Sequence, residues 1–171
     1  MITFPVLHTK RCILREILQE ETPTLRQIIE DGLFQRFLPE LYDAVKTEVE
    51  LLQLMRHFET YVQNDDGALW GIETEGLLVG FVAIMDISYD PILFYAVHPH
   101  YRNQGYAKEA VLEVVRNFKE KHPKLNLHTE VYIENIASIS ILQSCGFKAT
   151  GKEKGKILLS LQENVPFAPT L

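Results

Sequence analysis

Residues 94–110, FYAVHPHYRNQGYAKEA, constrain the fold of this chain more than any other segment. They read as a buried strand that runs through His98-Pro99 into a short basic and polar turn at 102–107, which opens directly into an amphipathic helix. The first turn of a helix carries backbone N–H groups without intrahelical partners and a partial positive charge. A turn that aims these groups outward binds an anion well, so the segment predicts a phosphate site.

Gly105 is the residue on which this predicted phosphate site depends. A glycine lets the backbone approach phosphate oxygens closely and adopt conformations that a Cβ would penalise. The small Ala107 leaves the next turn unobstructed, and Arg102 and Lys108 add positive charge. The spacing alone leaves a second interpretation open, because any junction between a strand and a helix can carry a glycine.

The rest of the chain alternates predicted strands and helices. Strands are predicted over residues 11–17, 68–73, 77–87, 92–98, 126–133 and 156–161. Helices are predicted to start at Thr22-Pro23, at the capping box 47–50, at the turn 102–107, called the phosphate turn below, and at Asn135. The helix that starts at Asn135 is predicted to stop at Gly146. The turn at 74–76 favours an antiparallel hairpin, and the tail at 165–169 has no periodicity.

Length and composition fit one domain over residues 1–171 that buries a sizeable core, since 46% of the residues are apolar. The net charge of −6 argues against non-specific nucleic-acid binding and is compatible with a cationic amine substrate. No apolar run reaches the roughly 20 residues of a membrane span, and the first residues do not resemble a signal peptide. We therefore expect a cytoplasmic protein without a membrane partner. The two cysteines, Cys12 and Cys145, are expected to be buried thiols.

Two motifs together resemble a known family. Arg102-x-x-Gly105-x-Ala107 after an apolar strand resembles the acetyl-coenzyme A pyrophosphate motif R/Q-x-x-G-x-G/A of the GNAT (Gcn5-related) N-acetyltransferases. Downstream, residues 135–147 resemble the second signature of that family, an N-x-x-S helix closed by Gly146-Phe147. The similarity covers nearly the whole chain and is greatest to the branch of ribosomal-protein N-terminal acetyltransferases.

The resemblance implies an α/β (α+β) fold, with a mixed, twisted central sheet flanked by helices and one splayed strand pair. It implies acetyl-CoA as cosubstrate, no metal, an amine acceptor, and a monomer or homodimer. The main chain of two strand residues is implied to bind the pantetheine arm, and the turn to bind the pyrophosphate. The implied cofactor-binding residues are Ala96, Val97, Arg102, Asn103, Gln104, Gly105, Tyr106, Ala107, Lys108, Asn135 and Ser138.

Asn135 and Ser138 are the implied catalytic residues, and each has a purely structural explanation. As a helix N-cap, Asn135 would accept from the N–H of Ser138 without any function. The family motif instead implies that its amide contacts the pantetheine arm or an ordered water beside the thioester. Ser138 can contact the cofactor or relay a proton to the departing sulfur, although serine is also common in a first helical turn.

The sequence departs from the family pattern at two positions that matter for proton transfer. Leu142 stands where many members carry the tyrosine that protonates the thiolate, and Ile92 stands where relatives often carry a glutamate base. The other candidate acids and bases are Asp86, Glu130, Tyr132 and His98. Each is more often a solvated, paired or strand-ending residue, and a water-mediated base is at least as plausible.

The acceptor site is expected between the first two helices and the hairpin. Its aromatic and apolar walls are predicted to come from Phe34, Phe37, Leu38, Tyr42 and Trp70, most of which belong to the core. The favoured function is acetylation of a primary amine, either a protein N-terminus or a small amine. Two alternatives are a coenzyme A-binding sensor that has lost turnover and a nucleotide-binding interaction domain. The second is disfavoured because neither of the common nucleotide-loop motifs occurs.

Overall fold

A computed structural model describes residues 2–161 and contains a single continuous sheet of eight strands. The predicted irregular tail lies outside the described residues. The strands are β1 Leu7–His8, β2 Ile13–Arg15, β3 Ala68–Thr74, β4 Leu77–Met85, β5 Ile92–Val97, β6 Leu127–Tyr132, β7 Lys148–Glu153 and β8 Lys156–Leu161. The helices are α1 Thr22–Ile29, α2 Gly32–Phe37, α3 Pro39–Ala44, α4 Glu48–Gln63, α5 Tyr106–Lys121 and α6 Ile136–Ser144.

The strand order is β1-β2-β3-β4-β5-β6-β8-β7, and β5 with β6 is the one parallel pair in this part of the chain. Parallel neighbours need a crossover connection, and α5 provides it. The remaining neighbours pair antiparallel. The predicted mixed sheet flanked by helices is therefore confirmed.

The strands β5 and β6 separate almost as soon as they meet. Their register consists of one Cα pair, Ile92 with His128, whereas β5 pairs with β4 along its whole length and β6 does the same with β8. The edge of β5 beyond Ile92 therefore lacks a strand partner on the β6 side, which leaves backbone donors and acceptors free for another extended group. This opening is the predicted splayed strand pair.

Two apolar clusters cover the two faces of the sheet. One face packs against α5 and α6, and residues of α5 that lie at helical spacing are buried there, namely Val111, Val114, Val115 and Phe118. The other face packs against α1, α2 and α4 through Ile28, Phe34, Leu51 and Phe58. The opening between β5 and β6 therefore lies between two layers of helices.

Several elements differ from the sequence prediction. β2 is shorter than residues 11–17, because residues 9–12 form the turn from β1, closed by the bond from the Thr9 N–H to the Cys12 carbonyl. α2, α3, β1 and β7 were not predicted. Every residue of β7 is exposed, so its sequence carries no apolar alternation to mark it as a strand.

Gly80 in β4 makes the close approach of β4 and β5 possible. A Cβ built on Gly80 would lie 2.5 Å from the carbonyl oxygen of Ala96, a contact that forces the backbone to shift. We expect Gly80→Ala to lower the free energy of unfolding by about 1–3 kcal/mol in urea denaturation. Gly32→Ala is the matched control, since a Cβ there meets nothing within 4 Å and helix propensity favours alanine. Equal stability of the two variants would contradict this role of Gly80.

Candidate active site

The turn between β5 and α5 has the geometry of an anion site. Asn103 and Gly105 both have left-handed backbones, with φ of 60° and 83°. Gly105 is the N-cap of α5, and its carbonyl accepts the first helical bond, from the Glu109 N–H at 3.0 Å. The N–H groups of residues 106–108 therefore have no intrahelical acceptor. Left-handed residues beside a helix start turn successive N–H groups into one concave nest, which suits a pyrophosphate.

Arg102, predicted to add charge to this turn, forms an ion pair within the protein. Its Nη2 lies 2.6 Å from Oδ2 of Asp31, and the same oxygen caps α2 by accepting from the Leu33 N–H at 3.0 Å. Burial raises the pKa of Asp31, but the hydrogen bond and charge of Arg102 outweigh burial and hold that pKa below its usual value. The pair ties the phosphate turn to the helices on the other side of the sheet.

We expect Arg102→Ala to reduce coenzyme A affinity less than about tenfold, because the backbone N–H groups of the turn remain. The variant should also lose about 1 kcal/mol of stability at pH 7, since the ion pair is partly exposed. The lowered pKa of Asp31 means that this stabilisation is present above about pH 4 and is lost as pH falls further. Calorimetric titration and urea unfolding at several pH values measure both effects. A stability difference that grows on acidification would contradict the pairing.

Arg11 contacts the phosphate turn, and the sequence did not predict this contact. Its guanidinium donates to the Gln104 carbonyl at 2.9 Å and to Glu109 Oε1 at 3.0 Å, and lies 4.4 Å from the centre of the Tyr106 ring. A Cβ on Gly105 would approach Arg11 Nη2 to 3.1 Å. Arg11 therefore braces the turn, and its charge is paired with that of Glu109. No local pattern could have signalled this contact, because Arg11 lies in the distant turn between β1 and β2.

Ala96 and Val97 were both predicted to bind the pantetheine arm through their main chain, but their backbone groups point in opposite directions. The His98 N–H donates to the Val79 carbonyl of the segment preceding Gly80 at 2.7 Å, and Ala96 is paired with Phe81. Backbone groups alternate along a strand, so those of Ala96 point to β4 and those of Val97 point into the opening. Tyr95 lies between them in sequence, and its backbone shares the direction of Val97. The backbone groups of Val97 and Tyr95 are therefore free for another extended group along this edge, whereas those of Ala96 are engaged by β4.

Asn135 and Ser138 lie together at the start of α6. Asn135 is the N-cap, and its Oδ1 accepts from the Ser138 N–H at 3.3 Å, so the structural explanation of this asparagine holds. The Ser138 hydroxyl lies 2.6 Å from the hydroxyl of Tyr95. Leu142, at the position of the missing tyrosine, is fully buried in the core. A tyrosine thus does reach this helix, but it comes from β5.

The other acid and base candidates have partners of their own. Asp86 accepts from the Tyr61 hydroxyl at 2.6 Å. His98 is buried, with Nε2 3.0 Å from Gln27 Oε1 and Nδ1 accepting from the His100 N–H at 3.2 Å. Burial, followed by the charges of His100 and Arg102, lowers the pKa of His98 and keeps it neutral. His98 therefore links the end of β5 to α1.

Glu130 and Tyr132 lie on the exposed side of β6, next to a lysine. Lys156 Nζ is 3.8 Å from Glu130 Oε2 and 4.9 Å from the centre of the Tyr132 ring. The same ammonium is 3.1 Å from Glu40 Oε1 in α3. This ion pair joins β8 to α3 on the face of the sheet where the acceptor is expected.

The residues predicted to line the acceptor site lie on both faces of the sheet rather than on one. Phe34 is buried against Phe81, and Phe37, Leu38 and Tyr42 are half-buried around α2 and α3. Trp70 was placed wrongly, because it lies in the other cluster, where its Nε1 donates to the Pro5 carbonyl at 2.7 Å. Among residues 2–161, no group of three or more metal-ligating side chains is positioned to hold an ion, and no helix is long and apolar enough to cross a membrane.

The chain is similar to known acetyltransferases. The family model of the acetyltransferase (GNAT) domain matches residues 11–148. An uncharacterized N-acetyltransferase of Bacillus subtilis, YoaA, is 25% identical over 154 residues, which cover 86% of this chain and 85% of that protein.

Solved structures share the fold. RimL, a ribosomal L7/L12 alpha-N-protein acetyltransferase in complex with coenzyme A, matches with a TM-score of 0.80 at 13% identity, covering 91% of this chain and 96% of that one. An acetyl transferase from Salmonella typhimurium that modifies the N-terminal serine of L7/L12 matches with a TM-score of 0.72 at 12% identity, covering 91% and 96%. The chain therefore belongs to the GNAT acetyltransferase family and is an acyltransferase that uses acetyl-CoA as its acetyl donor.

Proposed function

We propose that this protein moves the acetyl group of acetyl-CoA to a primary amine, by direct attack within a ternary complex. The observation that carries the proposal is the common location of three features. The phosphate turn follows β5, the unpaired edge of β5 leads back from it, and the Tyr95 side chain links that edge to Ser138 of α6. A pyrophosphate and its extended arm need the first two features, and a departing thiolate needs a proton donor such as the third.

Each part of the site has a defined task in this proposal. Acetyl-CoA supplies a thioester, so that a carbon–nitrogen bond forms as the carbon–sulfur bond breaks. The N–H groups of residues 106–108 hold the pyrophosphate, and the backbone of Val97 and Tyr95 pairs with the pantetheine arm. Ser138 donates a hydrogen bond to the sulfur and passes it a proton, which water returns to the serine hydroxyl. Water takes the proton that the amine loses, because His98 and Asp86 already have hydrogen-bond partners.

The acceptor class rests on charge and on the relatives. The net charge of −6 favours a cationic amine, and one structural relative modifies a protein N-terminal serine. We propose a protein N-terminus as the acceptor, with small polyamines as the second candidate. The test is a panel of peptides that differ only in the first residue, together with N-terminally blocked copies and small amines. Mass spectrometry should find the acetyl group on the terminal amine and none on the blocked copies. Intersecting initial-velocity lines are expected for direct attack, and parallel lines would contradict it.

Hydrogen exchange tests where the cofactor lies. Added coenzyme A should slow exchange of the amides of Val97 and Gly105, because the proposed arm and pyrophosphate cover them. The Ala96 amide serves as an internal control, since β4 already engages it and its exchange should change less. Protection confined to residues 34–42 would contradict this placement.

A further inference from the structure

The hydroxyl of Tyr95 has one short contact, and it is with a residue of the proposed site. Tyr95 is mostly buried on the apolar face of β5, beside Leu93 and Val97. A buried tyrosine hydroxyl usually needs a hydrogen-bond partner. The distance to Ser138 Oγ is 2.6 Å, whereas the Ser138 carbonyl is 3.5 Å away, so the side-chain oxygen is the main partner.

From this geometry we propose that Tyr95 is a positioning residue, which orients the Ser138 hydroxyl so that its hydrogen points to the sulfur of coenzyme A. The inference rests on the proposed function and adds to it the group that controls Ser138. Burial raises the pKa of Tyr95, so the phenol keeps its proton. Either hydroxyl can donate in this contact, and Tyr95 takes the donor role in this arrangement because a phenol is more acidic than an aliphatic hydroxyl. When Ser138 Oγ accepts from Tyr95, the serine hydrogen is left to donate elsewhere.

The position of Tyr95 also accounts for the departure at Leu142. Leu142 is fully buried under α6 and cannot donate a proton. Ser138 lies one helical turn before Leu142, on the same side of α6, and Tyr95 approaches it from the strand. A tyrosine hydroxyl is thus retained near the start of α6, and it acts through the serine rather than on the sulfur directly.

A titration of bound coenzyme A tests this inference without any acceptor amine. The pKa of the bound thiol is read from the ultraviolet absorbance of the thiolate in the wild type, in Tyr95→Phe and in Ser138→Ala. A donor that stabilises the thiolate lowers that pKa, so we expect it to rise by about one pH unit in Ser138→Ala and by about half a unit in Tyr95→Phe. An unchanged thiol pKa in Tyr95→Phe would overturn the inference.

Turnover gives a second readout. Tyr95→Phe should lower kcat about five- to tenfold and leave the KM for acetyl-CoA within about twofold. In the Ser138→Ala background the same change should have almost no further effect on kcat, because the two residues act as one unit. A purely structural Tyr95 would instead lower unfolding stability in the Tyr95→Phe variant and leave kcat of the folded protein unchanged.

Tyr61→Phe is the matched control. It removes a hydroxyl hydrogen bond of the same 2.6 Å length, to Asp86, and should reduce stability without changing kcat or the thiol pKa. The failures are distinguishable. A wild type that lowers the thiol pKa through Tyr95 and Ser138 but acetylates no amine overturns the proposed function alone. A wild type that acetylates amines with Tyr95→Phe equally active overturns only the inference, and one that binds no coenzyme A overturns both.

Discussion

Gly105→Val should weaken coenzyme A binding by about a hundredfold, an expected loss of about 2.7 kcal/mol of binding free energy. The valine side chain would occupy the concave side of the turn, where the N–H groups of residues 106–108 meet the pyrophosphate. It would also displace Arg11, since a Cβ on Gly105 lies 3.1 Å from Arg11 Nη2. Isothermal titration calorimetry on the folded variant measures the effect.

A control is needed because the φ of Gly105, 83°, is strained for any residue with a Cβ. Gly76→Val supplies it, since Gly76 has a φ of 79° in the turn between β3 and β4 and a Cβ there meets nothing within 4 Å. Both variants should lose about 1–2 kcal/mol of stability, whereas only Gly105→Val should lose affinity. If Gly105→Val and the wild type bind coenzyme A with equal affinity, the proposal that this turn binds the pyrophosphate is contradicted.

Ser138→Ala should lower kcat by about a hundredfold while coenzyme A affinity stays within about threefold of the wild type. An interaction that strengthens as the thiolate departs appears in the rate rather than in ground-state binding. The measurement is steady-state kinetics beside calorimetric titration of the same preparation.

Asn135→Ala separates the helix cap from catalysis. Because Asn135 Oδ1 caps α6 through the Ser138 N–H, its loss should cost on the order of 1 kcal/mol of stability. If the amide also serves the reaction, kcat of the folded variant falls as well. Normal turnover in both the Asn135→Ala and the Ser138→Ala variants would reduce both residues to structural roles.

The backbone geometry of the turn at 102–107 could be predicted because it is local. Asn103 and Gly105 are the residue types that most readily adopt left-handed backbones, and both do so here. The burial of the α5 face followed from residues at helical spacing for the same reason. In each case the determining residues lie within a few positions of one another.

The contacts that complete the site could not be predicted, because they join distant parts of the chain. Arg11 reaches the turn from the loop after β1, and Asp31 reaches Arg102 from the start of α2. From the sequence, Tyr95 is indistinguishable from the other core residues of β5, because its contact with Ser138 forms only when α6 packs beside the strand. Each pairing depends on the packing of helices against the sheet, which the sequence of either partner alone does not encode.

Trp70 was misplaced for a different physical reason. Six of the seven residues of β3 are buried, so the strand shows no alternation of polar and apolar residues that would separate its two faces. The side chain of Trp70 belongs to the face covered by α5 and α6, while its neighbour Leu69 faces α1 and α4. A strand buried on both sides does not reveal from its own sequence which side forms the acceptor site.

The central claim is that this site transfers acetyl groups to amines rather than only binding coenzyme A. The most direct test mixes the wild type with acetyl-CoA and each member of the peptide and amine panel, and measures free thiol and acetylated amine in the same reaction. We predict thiol release that depends on the amine and equals the acetylated product mole for mole. Tight binding of acetyl-CoA without amine-dependent thiol release anywhere in the panel would contradict the claim and favour a coenzyme A sensor.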